Sequence, residues 1–248
     1  MKKTGFNSGV IGSDQRVAQT GIISFQKHYL ERLNGRCKPA GSGIADVMIK
    51  DGLIMLVDVT DSNSYSGDGN WLDLSGVGNH WIIGGGPVLV DGGSIASTYL
   101  SFDSSDDYAR QTAASVTGRT SSMTVGLVLQ SQDTGNGMIA SKTTGGTGYL
   151  AAFNTNGNFY SNGVGSPTAY IDTVANSDSE GLDGSFHLLE FKGVDFSGWS
   201  QNINMPPAYS GYQLQADVKL MYMYDRNLTA DESQHNYTQF QSLQYTNQ

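Results

Sequence analysis

Of the 23 acidic residues in this 248-residue chain only four are glutamate (Glu31, Glu180, Glu190 and Glu232), while 32 positions are glycine. That imbalance constrains the backbone more than any other feature of the sequence. Aspartate, asparagine and serine bond neighbouring backbone groups through short side chains, and glycine accepts a positive φ, so all four favour turns. A mainly helical chain would be rich in Glu, Lys, Leu and Ala instead. Glycine shows no three-residue period, which excludes a collagen-like repeat, and an apolar content of 38% is too high for a disordered chain. The length suits one large β domain or two small ones, with a sizeable core.

From residue 53 onward, short apolar segments alternate with turn residues. LIMLVD (53–58), WLDL (71–74) and STYLSF (97–102) read as strands, with the polar stretch DSNSYSGDGN (61–70) between the first two. Met123, Val125, Leu127 and Leu129 share one face at a two-residue period, and so do Val218, Leu220, Tyr222 and Tyr224, the spacing of half-buried strands. GMIASK, GYLAAF, GNFYSN, TAYIDTV and FHLLEFK add further strands. Roughly a dozen strands without intervening helices predict an all-β antiparallel sandwich or barrel. Thr229-Ala230-Asp231-Glu232 forms a capping box for a C-terminal helix that carries Tyr237 and Phe240 on one side.

Charge is unevenly placed. Seven bases against two acids give residues 1–40 a charge of +5, which leaves −14 for the rest of a chain whose total is −9. Within this basic arm Ser24 caps a short helix in which Phe25, Tyr29 and Leu33 recur at i, i+4, i+8, with Asn34-Gly35 as the stop. A helix of that length is marginal alone and needs either the body or another chain to lean on, which makes these three side chains candidate partner-docking residues. The stretch KPAGSG (38–43) reads as a linker, which divides the chain into an arm, 1–40, and a body, 41–248. The acidic body repels nucleic acid and anionic membrane, and the arm's bases are scattered without interleaved stacking aromatics, so neither partner is expected. The apolar run 53–57 falls short of a bilayer span. The start, Met1-Lys2-Lys3 followed by TGFNSGVIGSDQ, lacks the apolar stretch of a secretory signal, and synthesis in a cytoplasm is expected. The lone Cys37 makes no intramolecular disulfide.

Five segments in order resemble the laminin-G-like, concanavalin A-like jelly-roll domains of bacterial and phage surface proteins. They are LVDVTDSNSYSGDGNWLDLSGVGNH (56–80), YLSFDSSDDYAR (99–110), SMTVGLVLQ (122–130), SFHLLEFKG (185–193) and KLMYMYDRNLTADESQHNY (219–237), and together they cover about residues 53–245. Phe186 stands where that family usually has Trp, and Ser233 follows Glu232 where another acid or Ile is common. GVIGSDQ (9–15) followed by GIISFQKHYLERLNGR (21–36) is similar to the opening of many phage structural proteins. The resemblance implies a concanavalin A-like β-sandwich jelly roll carried by a basic arm. It also implies a bacteriophage virion protein that docks on other virion proteins and serves in capsid decoration, a tail fibre or collar, or host-surface glycan adhesion. Homotrimers are common among proteins of that kind. A free carbohydrate-binding lectin-like module is the alternative, followed by a glycoside hydrolase of the same fold.

Catalytic signals are sparse. Glucanases of this fold set two carboxylates from one strand across the scissile bond, whereas here no two glutamates lie within nine residues and Glu190 has no acid two positions on. There is no Gly-x-Ser-x-Gly elbow, phosphate-binding glycine loop or paired-histidine motif. The expectation is a non-enzymatic protein without a cofactor. Calcium is the one ion that the resemblance implies, through aspartate and carbonyl oxygens at the rim. Asp61-x-Asn63 begins like a calcium loop but lacks Gly at position six and Glu at position twelve, so turn-forming aspartate is expected there. For ligand contact, DFSGWSQNINMPPAYSGY (195–212) gathers Trp199, Tyr209 and Tyr212 among amides in a long connection, chemistry suited to sugar stacking.

Overall fold

The structure is a computed structural model and describes residues 43–103, 105–111, 117–131, 137–142, 148–153, 159–176, 182–198, 203–204 and 215–246. The arm, with Phe25, Tyr29 and Leu33, lies outside the described residues, as do Trp199, Tyr209 and Tyr212.

After a single helical turn, α1 (Ile44–Val47), come β1 (Leu53–Asp58), β2 (Asn70–Trp71), β3 (Trp81–Gly84), β4 (Val88–Asp91), β5 (Thr98–Asp103), β6 (Tyr108–Gln111) and β7 (Met123–Ser131). Next are β8 (Gly137–Lys142), β9 (Tyr149–Phe153), β10 (Phe159–Asn162), β11 (Thr168–Ile171) and β12 (Val174–Asn176). The chain closes with β13 (His187–Val194), β14 (Ile203–Asn204), β15 (Gln215–Tyr224) and the helix α2 (Ala230–Ser242). All pairings are antiparallel and build two sheets, an antiparallel β-sandwich jelly roll. The first sheet has the order β12-β11-β13-β7-β15-β5-β4, with β1 also paired to β15, and the second has the order β10-β9-β8-β14-β6-β3-β2. β15 is long enough to take two partners on one side: β5 along residues 215–218 and β1 along 220–224.

Between the sheets, Met123, Val125, Leu127 and Leu129 point inward together as their period requires, against Trp71, Trp81, Leu100 and Phe102. β15 departs from the expected single face. Val218 lies in the sandwich core, but Leu220, Tyr222 and Tyr224 lie on the opposite face, and Met221 and Met223 take the inward positions. The cause is a register shift between Val218 and Leu220, where Lys219 is the extra residue of a bulge and reverses the alternation beyond it. Nor is this strand half-buried, because both of its faces are covered from Val218 onward apart from the turn at its end.

A second core explains that burial. Leu56, Val128, Leu188, Leu220, Tyr222 and Tyr224 on the outer face of the first sheet pack against Phe240 and Tyr245 of the C-terminal segment and Ile44 and Met48 of the N-terminal one. The expected capping box is present: Thr229 Oγ1 accepts from Glu232 N at 3.3 Å and Glu232 Oε2 accepts from Thr229 N at 2.9 Å. Arg226 grips the same carboxylate through both Nη atoms at 2.9 and 2.7 Å, and this bidentate contact first of all holds Glu232 down to about pKa 2. Sealed under α2, the Glu190 carboxylate accepts from Tyr222 Oη and Ser233 Oγ, each at 2.6 Å, with Lys192 Nζ at 3.4 Å.

One short segment differs from its sequence reading. Only Trp71 of WLDL is strand, so Asp73 sits in a loop instead of on a strand between Trp71 and Leu74. A tight turn follows at 75–79, with Gly76 and Gly78 at φ +88° and +90°.

Candidate functional site

The loop of the first sequence block and the turn of the second hold the framework together. In the loop after β2, both Asp73 oxygens accept hydrogen bonds: Oδ1 from Leu56 N at 2.9 Å and Ser75 N at 2.8 Å, Oδ2 from Ser75 Oγ at 2.7 Å and from Gly78 N and Asn79 N at 2.9 Å. Asn79, fully buried, then ties the loop to Ile54 O and to both backbone groups of Thr117. The aspartates of the second block shape the turn between β5 and β6. Asp107 Oδ2 accepts from Asp103 N at 2.9 Å, and Asp103 Oδ1 from Ser105 N at 2.8 Å. Oxygens of Asp103, Asp106 and Asp107 lie within 4.8 Å of one another, and burial pushes the Asp107 carboxyl upward. As a donor set these carboxylates match the hard-oxygen preference of calcium, the ion that the resemblance implies, and no step below depends on one. At Asp61 the turn expectation holds, since Oδ1 accepts from both Asn63 N and Asn63 Nδ2 at 2.9 Å.

Beside that acidic turn, the outer face of the first sheet opens into a cavity of about 180 Å³ lined by Ser101, Gln130, Gln215, Ala216 and Asp217. Register explains why these residues meet. Asp217 on β15 pairs with Ser101 on β5 and with Gln130 on β7, so three polar side chains form one row across three adjacent strands. Their inward neighbours Leu100, Leu129, Ala216 and Val218 are in the sandwich core, which fixes the row's outward direction. Gln215 pairs with Asp103, placing the pocket next to the acidic turn. Burial pushes the Asp217 carboxyl upward, against the opposing hydrogen bond from Ser101. The pocket thus offers two amides, a hydroxyl and a carboxyl on rigid strands, a mixture of donors and acceptors.

Ser101 and Gln130 fall within the second and third sequence blocks, but no motif marks them or Asp217 as ligand contacts. They lie 29 and 87 positions apart along the chain (101, 130, 217), and each is an ordinary polar residue on the solvent phase of its strand. That phase is the signal that could have found them. The three aromatics selected from the sequence lie outside the described residues, Trp199 before β14 and Tyr209 and Tyr212 in the sequence between β14 and Gln215.

The remaining titratable clusters hold elements together. Lys219 Nζ, fully buried at the β15 bulge, donates to Ala96 O at 3.0 Å, Tyr245 O at 3.1 Å and Gln244 O at 3.4 Å, and lies 3.9 Å from the Phe186 ring centre. Burial pulls its pKa down to about 8. Tyr245 Oη donates to Asp58 Oδ2, and Thr60 Oγ1 to Asp58 Oδ1 at 2.8 Å. His187 on β13 bridges Asp172, at 2.6 Å, and Asp183, at 3.0 Å. The Asp172 hydrogen bond is the chief reason its pKa rises to about 9. Because the folded value exceeds the ordinary 6.5, this site stabilises the fold fully below pH 6.5 and loses that stabilisation as pH rises through 9. Lys219 runs the other way, its charging cost being relieved between about pH 8 and 10.5. Urea unfolding at pH 6 and pH 9 is expected to show a stability loss that His187→Gln removes; an unchanged pH slope in that variant would overturn the assignment.

No family model matches the chain, and no curated protein matches it. Among solved structures, a Trypanosoma rangeli sialidase in complex with the inhibitor DANA aligns at 10% identity and a TM-score of 0.46, over 90% of this chain and 38% of that one. The receptor-binding domain of botulinum neurotoxin C/D mosaic serotype aligns at 12% identity and 0.49, over 77% and 52%. The chain therefore spans about a third to a half of the length of these structures, and at such identities no residue acquires a role from the likeness.

Proposed function

We propose that this protein is a non-enzymatic glycan-binding module displayed on a bacteriophage virion, with residues 1–40 as the docking arm. The observation that carries the binding reading is the polar row Ser101–Asp217–Gln130 at the mouth of the 180 Å³ pocket. Sugar hydroxyls are both donors and acceptors, and a fixed set of amide, hydroxyl and carboxyl groups satisfies them where a purely apolar pocket would not. Trp199, between β13 and β14 in the sequence, and Tyr209 and Tyr212, between β14 and β15, would add the aromatic chemistry for stacking. The non-enzymatic reading draws on Glu190, whose carboxylate is 1% exposed and occupied by Tyr222 and Ser233 beneath α2, out of reach of a glycosidic bond. The virion reading draws on the order of the five sequence blocks and on the contrast between a +5 arm and a −14 body.

Titration of the whole chain with neutral oligosaccharides is expected to give selective binding that weakens about tenfold or more in Asp217→Ala, Gln130→Ala and Trp199→Ala. Absence of binding across the panel, or variants that bind as well as the parent, would overturn the glycan reading. Release of reducing sugar would overturn the non-enzymatic one. A chain lacking residues 1–40 is expected to fold and stay out of assembled particles; its incorporation would remove the arm's docking role.

A further inference from the structure

On the opposite sheet, one arginine of the acidic body is held by partners that carry no charge. Lys192 faces Glu190, Arg226 pairs with Asp51 and Glu232, and Lys219 is consumed by backbone carbonyls. Arg110 has no carboxylate within salt-bridge distance among the described residues, although acids outnumber bases by 14 in the body. Its side chain is nevertheless held from two directions. Nε donates to Asn204 Oδ1 at 2.9 Å, and Asn204 is 3% exposed. The guanidinium lies 4.4 Å over the ring of Tyr108, two residues earlier on the same face of β6. Tyr108 in turn lies across Gly84, its partner on β3, where any Cβ would overlap the ring, so the tyrosine rests flat against the strand.

With Nε committed and the plane fixed by the ring, neither Nη group has a hydrogen-bond partner among the described residues, which leaves an oriented pair of donors. The buried Ala109 and Gln111 on either side of Arg110 face the interior, so the fork belongs to the outer face. Ile82, paired with Arg110 and 48% exposed, adds an apolar edge beside it. A planar, doubly donating cation beside an aromatic ring and an apolar side chain matches a carboxylate attached to a sugar ring: two parallel N–H···O bonds to the acid, with Tyr108 and Ile82 against the pyranose.

We propose that Arg110, Tyr108, Asn204 and Ile82 form a second binding site on the outer face of the second sheet, selective for a carboxylate-bearing sugar of the uronic acid type. The body's net negative charge opposes such a ligand only at long range, since screening limits it to about 8 Å at physiological ionic strength. The proposal rests on the glycan-binding reading for the sugar but not on the rim pocket, which uses different strands.

The test is calorimetric titration of the full chain with tetragalacturonate, its methyl-esterified form and a sulfated tetrasaccharide. The free acid is expected to bind, and esterification to weaken it at least about tenfold. Arg110→Gln is expected to do the same and Arg110→Lys to be intermediate, because lysine keeps the charge without the fork. Ile82→Glu supplies a safeguard should Arg110→Gln unfold: it sets a carboxylate opposite Arg110 on an exposed position, tolerated by the sheet, and fills the fork from within. Equal binding of acid and ester, or unchanged affinity in folded Arg110→Gln or Ile82→Glu, would overturn the site. Preference for the sulfated sugar over the uronate would overturn the carboxylate assignment. Asp217→Ala is expected to leave uronate binding intact, so failure of the rim pocket and failure of this site are read separately.

Discussion

Replacing Asp73 by alanine is expected to lower the unfolding free energy by about 3–5 kcal/mol, more than any other single loop substitution in the first sequence block. Its carboxylate accepts five hydrogen bonds, four from backbone N–H groups and one from Ser75 Oγ. The amides of Leu56 and Asn79 belong to fully buried residues, so removal of their acceptor leaves donors that water reaches poorly. Each such orphan costs about 1–3 kcal/mol, and bonds to a charged acceptor lie at the upper end. Damage then spreads, because the same carboxylate fixes the turn that aims Asn79 at Ile54 and Thr117. Asp73→Asn keeps one acceptor oxygen and should lose about half as much. Urea denaturation with an unchanged slope reads the difference directly. A cost below about 1 kcal/mol for Asp73→Ala would mean that the loop is held by Gly76 and Gly78 geometry alone.

What the sequence made legible follows from period and from local chemistry. Met123, Val125, Leu127 and Leu129 face inward because a strand alternates and nothing interrupts β7. Thr229 and Glu232 cap α2 because both partners of the box lie within one turn. The bulge at Lys219 was not legible, since Val218-Lys219-Leu220 continues an apolar–polar–apolar alternation that gives no mark of an inserted residue. Register across β15, β7 and β5 decides it, and register is a long-range property. The pocket is hidden for the same reason: Ser101, Gln130 and Asp217 become neighbours only through pairing of strands distant in sequence. Arg110 adds a subtler case, as its meaning lies in having no carboxylate partner among the described residues, which a sequence with 21 acids in the body does not reveal.

Truncation after Leu228, which removes α2 and the turn beyond it, is expected to abolish soluble, cooperatively folding protein. The outer face of the first sheet would then present Leu188, Leu220, Tyr222 and Tyr224, all 0% exposed in the intact chain. Each such aromatic buries about 150–250 Å², so the uncovered patch exceeds the few hundred Å² that soluble monomers normally tolerate. Polar losses compound the apolar ones: Glu190 loses Ser233, Ile49 N and Tyr224 Oη lose Asn236, and Asp58 loses Tyr245. Lys219 would keep its charge while two of its three carbonyl acceptors disappear. The milder Phe240→Ala removes only the fully buried ring at the centre of this layer and should cost about 3–5 kcal/mol. Size-exclusion chromatography and thermal unfolding of both variants check the expectation. A truncated protein that elutes as a monomer and unfolds cooperatively would show that the sandwich core alone carries the fold and that the second core is dispensable.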